Sequence, residues 1–210
     1  KANNGYIVMA YGLGLMDGTS VTSFSPNGHV TREQAAAILM RLYDKLHDLT
    51  ASRMGIASSA ENLPDLTGYG AVGVAAAKLV YNGEPQIASA MNGSEAQSVR
   101  AAASAAGAKA LLYVTGNDYH IREGDEEKLA DVLFQAVEEG RYDGLFLEVS
   151  GLTAVTQRDV LTAAVRSLRE KLGTRPLYVG AEAPSWKGTI FGYDYAALGE
   201  AADRLVLRFT

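Results

Sequence analysis

The 210-residue chain contains no cysteine, which excludes a disulfide framework and a thiolate metal site while leaving the compartment open. No run of five or more basic residues occurs, and the formal charge is -5, so the electrostatic footprint of a nucleic-acid-binding protein is missing. No apolar stretch approaches the roughly 18 residues of a membrane span. The N-terminus lacks the charged-then-apolar layout of a signal peptide. His29, His47 and His120 stand too far apart for metal-ligand spacing, so neither a metal nor another cofactor is expected.

What is present reads as two modules. The length allows a small domain plus part of a larger one. The chain begins inside one motif and stops just after a strand, Arg204 to Phe209, the layout expected of a piece of a longer exported polypeptide. In the first module Ala35, Ile38, Leu39, Leu42 and Leu46 follow helical spacing, and Thr31 with Gln34 forms a capping-box pattern ahead of them. Upstream lie a glycine-rich turn, Gly14-Leu15-Met16-Asp17-Gly18, then Phe24-Ser25-Pro26 and Val30-Thr31-Arg32-Glu33-Gln34.

These elements, in this order, resemble an S-layer homology repeat spanning 1–48 and incomplete at its N-terminus. The resemblance implies attachment to a secondary cell-wall polysaccharide at the bacterial surface, with Arg32 as the candidate contact to acidic groups, since a guanidinium suits bidentate carboxylate recognition. The alternative for Arg32 is a solvated place in the first helical turn. Residues 49–68, rich in Ser, Ala, Gly and Asn and without a clean period, read as a linker.

From residue 69 to 210 strand and helix patterns alternate, which predicts an α/β fold with a parallel sheet and covering helices. Strands are expected at Ala71 to Tyr81, Gln86 to Met91, Ala110 to Thr115, Leu145 to Val149, Leu177 to Ala183 and Arg204 to Phe209. Helices are expected after Ser94, Asp125, Thr156 and Asp194. Along Leu145 to Ser150 the alternation puts Phe146, Glu148 and Ser150 on one face. A carboxylate inside an apolar strand needs a partner or a task, because an unpaired buried charge costs several kcal/mol.

Tyr142-Asp143-Gly144 followed by that strand resembles the fourth strand of glycoside hydrolase family 18, the chitinase-like (β/α)8 barrels, whose motif is Asp-x-x-Asp-x-Asp-x-Glu. Asp143 matches the first Asp and Glu148 the third; Phe146 stands at the second, and Ser150 at the Glu that serves the family as general acid. Tyr178, Trp186, Tyr193, Asp194 and Tyr195 are similar to the following two strands of the cell-wall and spore-associated branch. The resemblance therefore implies a partial, C-terminally incomplete TIM-type barrel. It further implies contact with glycans containing N-acetylglucosamine, which the family cleaves by attack of the substrate's own acetamide while one Glu protonates the leaving oxygen.

A serine hydroxyl cannot donate that proton near neutral pH, and acid catalysis contributes about 10²–10⁴-fold, so hydrolysis is expected to be lost or strongly reduced. Three functions stay open: a wall-anchored glycan-binding barrel, a hydrolase of peptidoglycan or chitin using a displaced carboxylate (Glu148 or Glu182), and a structural scaffold. Tyr113, Tyr178 and Trp186 are candidate platforms for sugar rings, or core aromatics. Asp194 is a candidate ligand to sugar hydroxyls, or a helix N-cap; Asp143 caps a turn in its simplest role.

Overall fold

The computed structural model of the chain describes residues 28–50, 53–61, 63–184 and 189–208. The chain divides into two units, 1–52 and 53–210.

In the first unit a helix, α1 (Arg32–Thr50), starts where the capping box predicts. Thr31 N donates to Gln34 Oε1 at 3.0 Å, and Gln34 N donates to Thr31 Oγ1 at 3.3 Å, so two of the helix's orphan amides are satisfied reciprocally. The motif residues from Gly14 to Pro26 lie outside the described residues.

The second unit is a seven-stranded sheet with helices between its strands. Its elements are β1 (Arg53–Ala57), β2 (Tyr69–Tyr81), β3 (Pro85–Ser89), α2 (Gly93–Ala105), β4 (Lys109–Asn117), α3 (Glu126–Gly140), β5 (Gly144–Ser150), α4 (Val155–Leu172), β6 (Leu177–Glu182), the one-turn α5 (Thr189–Gly192), α6 (Tyr195–Ala201) and β7 (Arg204–Arg208). The strand order is β1-β2-β4-β5-β6-β7, with every neighbour parallel, while β3 folds back antiparallel on β2. From β2 onward, parallel neighbours joined through helices give a curled sheet, the architecture of part of a (β/α)8 barrel.

One correction concerns the linker expected at 49–68. Residues 53–57 form β1 and pair with β2, with Met54 opposite Ala71 and Ile56 opposite Gly73. A five-residue strand containing a glycine offers too short a run for its period-2 signal to stand out from its Ser- and Ala-rich surroundings. One cap also differs from expectation. Helix α2 is capped by Asn92, whose side chain accepts from Glu95 N at 2.8 Å, with Ser94 bonded to Asn92 instead. Helix α3 ends at Gly140 and is followed by Arg141 as C-cap in the left-handed region, φ 52°.

The sheet buries two apolar faces. On the helix side Val72, Val74, Leu112, Val114, Leu145, Leu147 and Val179 pack with Val99, Leu129, Leu133, Val137, Leu161 and Leu168, which lie at helical spacing on their elements. On the opposite, concave side a smaller cluster joins Ala71, Leu111, Tyr113 and Phe146, with Met54, Ala75, Tyr178 and Val206 against it.

The register between strands is fixed by a device used twice. Asp143 N donates to Ala110 O at 2.9 Å while Ala110 N donates to Asp143 Oδ2 at 2.8 Å, which ties the entrance of β5 to β4. Asp203 repeats this at β7: its amide donates to Leu177 O at 2.9 Å and its Oδ2 accepts from Leu177 N at 2.7 Å. Arg169 Nη1 donates to the same Oδ2 at 2.8 Å. Asp203→Ala is expected to cost about 1–3 kcal/mol, because it strips a charged acceptor from a strand amide, and urea unfolding of the variant would show it.

Candidate functional site

Parallel strands present their last residues at one end, so Asn117 of β4, Ser150 of β5, Glu182 of β6 and Arg208 of β7 meet at the C-terminal edge of the sheet. The register pairs Asn117 with Ser150, Thr115 with Glu148, Glu148 with Gly180, and Glu182 with Arg208. The concave face of β5 thus carries Phe146, Glu148 and Ser150 in ascending order, as alternation predicts.

Glu148 is 6% exposed and has two partners. Tyr113, one pleat lower on β4, donates its hydroxyl to Oε2 at 2.8 Å, and the Arg208 guanidinium pairs with Oε1. Gly180 gives this carboxylate room: a Cβ there would stand 2.8 Å from Glu148 Cγ. The charge in the apolar strand is therefore compensated, which removes the penalty that an isolated buried carboxylate would carry. Both oxygens are engaged in holding the sheet.

Ser150 is half-buried and donates its hydroxyl to Gly116 O at 3.3 Å. Phe146, 1% exposed, lies with its ring centroid 4.8 Å from that of Tyr113 and 6.4 Å from that of Tyr178. Tyr113 and Tyr178 accordingly belong to the concave apolar cluster, and Tyr178 has Arg204 over its ring at 5.5 Å. Glu182 is half-buried at the strand edge, and its carbonyl accepts from the Tyr195 hydroxyl at 2.9 Å. Asp194 caps α6, accepting from Ala197 N at 3.0 Å. Asp143 is the register clamp at the other end of β5. Arg32 occupies the first turn of α1, in the other unit. Trp186 lies outside the described residues.

The loop after β4 is stiffened locally. Asn117 and His120 cap one 3₁₀ turn: Asn117 N donates to His120 Nδ1 at 3.0 Å, and Tyr119 N donates to Asn117 Oδ1 at 3.1 Å. Burial pushes the His120 imidazole below its ordinary pKa, so it remains a neutral acceptor for that amide near pH 7. Among the described residues no group of three or more His, Asp or Glu could hold a metal ion. No described helix is long and apolar enough to cross a membrane.

Two phenols around the site share a perturbation. Burial, reinforced by Glu148, raises the Tyr113 pKa, and burial does the same to Tyr193, whose hydroxyl donates to Val149 O at 2.6 Å. A folded-state pKa above the unfolded value of about 10 gives stability that is complete below pH 10 and lost as pH rises. The urea midpoint is therefore expected to hold from pH 7 to about 9 and to fall steeply above about 10, more steeply than in Tyr193→Phe.

Two residues that shape the surroundings of Glu148 escape sequence reading. Arg208 sits 60 positions from Glu148, and only the β5-β6-β7 register brings them together. Gly180 shows its purpose only once Glu148 is seen across from it.

Comparison with known proteins gives each unit a relative. Residues 1–36 match the S-layer homology domain family, which indicates association with the bacterial cell surface. No curated protein matches the chain. Among solved structures, a glycoside hydrolase family 18 N-acetylglucosaminidase from Paenibacillus barengoltzii is 19% identical with a TM-score of 0.57, covering 75% of this chain and 52% of its own. The chitinase domain of the spore coat protein CotE from Clostridium difficile is 14% identical with a TM-score of 0.56, over 72% of this chain and 48% of its own. A class V chitinase from Pseudomonas fluorescens Pf-5 is 19% identical with a TM-score of 0.55, over 66% and 46%. The chain thus spans about half the length of the solved structures it resembles, and the likeness is one of fold.

Proposed function

We propose that this is a cell-surface protein whose chitinase-like barrel binds glycan containing N-acetylglucosamine without cleaving it, while the S-layer homology segment attaches it to cell-wall polysaccharide. The observation that carries the reading is Ser150. A hydroxyl that already donates to Gly116 O occupies the strand-end position where the chitinase-like motif keeps its proton donor. Glu148, one pleat (roughly 6.5 Å) deeper, has both carboxylate oxygens committed, to Tyr113 and Arg208. Phe146 fills the place of another motif carboxylate with a ring packed into the concave cluster. What remains at the edge, including Asn117, Ser150 and Glu182, offers hydrogen-bonding groups suited to sugar hydroxyls.

The test is calorimetric titration with tri- to hexa-N-acetylglucosamine alongside a reducing-end assay. Binding with no release of reducing ends is expected. Release by the wild-type chain that disappears in Glu182→Gln would replace this reading with a hydrolase using a displaced carboxylate; absence of binding would leave a scaffold. Ser150→Glu restores a carboxyl at the strand end and is expected to raise cleavage over the wild-type background by on the order of 10²-fold, the low end for a general acid.

A further inference from the structure

A second concavity lies at the opposite, N-terminal end of the strands, well apart from Ser150. Its floor is one face of α2, formed by Gly93, Ala96, Gln97, Arg100, Ala101 and Ser104; its far wall is the turn from Glu139 to Asp143, where α3 ends and β5 begins. It is an open groove of about 720 Å³, within the range of about 300–1,000 Å³ typical of small-molecule sites. At 1.5 Å per residue the stretch of α2 along it measures roughly 16 Å, the length of four to five extended peptide residues.

Its chemistry is mixed in sign: Arg100 lies on the floor, and Glu139, Arg141 and Asp143 follow one another along the wall. Arg100 is pre-positioned: its guanidinium lies 5.2 Å over the Tyr142 ring, and Nη1 donates to Arg141 O at 3.3 Å, while Nε is buried without a hydrogen-bond partner. Arg141 is held with φ 52°, a backbone region that side chains rarely adopt, so its place at the wall is set by the fold. The floor is paved with small residues. The one aromatic face there is covered by Arg100, which removes the platform a sugar ring would stack on. A purely anionic ligand would meet two carboxylates and the negative end of α3 as well as the two guanidinium groups.

From this we infer that the cleft binds a short extended peptide carrying both a carboxylate and an ammonium group, the carboxylate on Arg100 and Arg141 and the ammonium on Glu139 and Asp143. The inference does not rest on the glycan reading, since the two sites lie at opposite ends of the strands.

Calorimetry on the full chain with tetraalanine bearing free termini tests it. The free peptide is expected to bind at least tenfold more tightly than its N-acetylated, C-amidated form, and Arg100→Gln is expected to lose at least tenfold. Because Arg100 also supports the Arg141 carbonyl, Ala101→Trp provides a second variant. It fills the groove from an exposed position, and is expected to abolish peptide binding while leaving the unfolding curve and N-acetylglucosamine oligomer binding as in the wild type. Equal affinity for free and capped peptide, unaltered binding in Ala101→Trp, no binding at millimolar peptide, or capture of trigalacturonate in place of the peptide would each overturn it.

Discussion

Phe146→Ala is expected to destabilise the protein by about 3–5 kcal/mol, the range for deleting a large buried aromatic side chain, and to lower the urea midpoint without changing the slope. The ring is 1% exposed and is the centre of the concave cluster: Tyr113 and Tyr178 flank it, and Gly73 sits so close that a Cβ there would meet Phe146 Cδ1 at 3.4 Å. The remaining void has little means of closing, because the strands on either side are held by parallel registers. Phe146→Asp is expected to cost as much or more. It would bury a charge among Leu111, Tyr113 and Tyr178 on the same strand face as Glu148. Position 146 is thus part of the surrounding core.

Arg208→Gln is the second large effect. It leaves the Glu148 carboxylate inside the sheet with only the Tyr113 hydroxyl as partner. Breaking a fully buried pair costs about 3–5 kcal/mol; the Arg208 side chain is 54% exposed, so solvent already screens part of the interaction and about 1–3 kcal/mol is expected at pH 7. The complementary Glu148→Gln should cost less, about 1 kcal/mol, because the amide oxygen still accepts from Tyr113 and Arg208 turns to water. Thermal unfolding of the two variants reads this asymmetry directly. If Glu148→Gln were the more damaging, the ion pair would not be what accommodates the charge in the strand.

The helices and strands of the second unit were legible because their local signals agree with the tertiary arrangement. Leu129, Leu133 and Val137 are spaced for a helix and are buried, and Phe146 and Glu148 alternate with Leu145, Leu147 and Val149 as a strand demands. Strand β1 escaped because its identity comes from its partner: Met54 and Ile56 acquire a face only when β2 lies beside them. The same holds at the site. That Glu148 needs a partner could be read from its neighbours. That the partners are Tyr113 and Arg208 could not, since one is a diagonal reach across β4 and the other follows from two successive registers. Asp143 looked like the cap of its own turn because an Asx side chain next to a glycine does that locally, whereas its bond runs to Ala110, 33 residues away.

That bond and its twin at Asp203 have a consequence for how the sheet is assembled. Each aspartate indexes its strand to the one laid down before it, using groups that lie within two neighbouring βα units. Alignment is thereby settled in sequence order, pair by pair, without waiting for a ring to close. A polypeptide emerging N-terminus first thus delivers β5 and β7 to an edge with which each is already in phase.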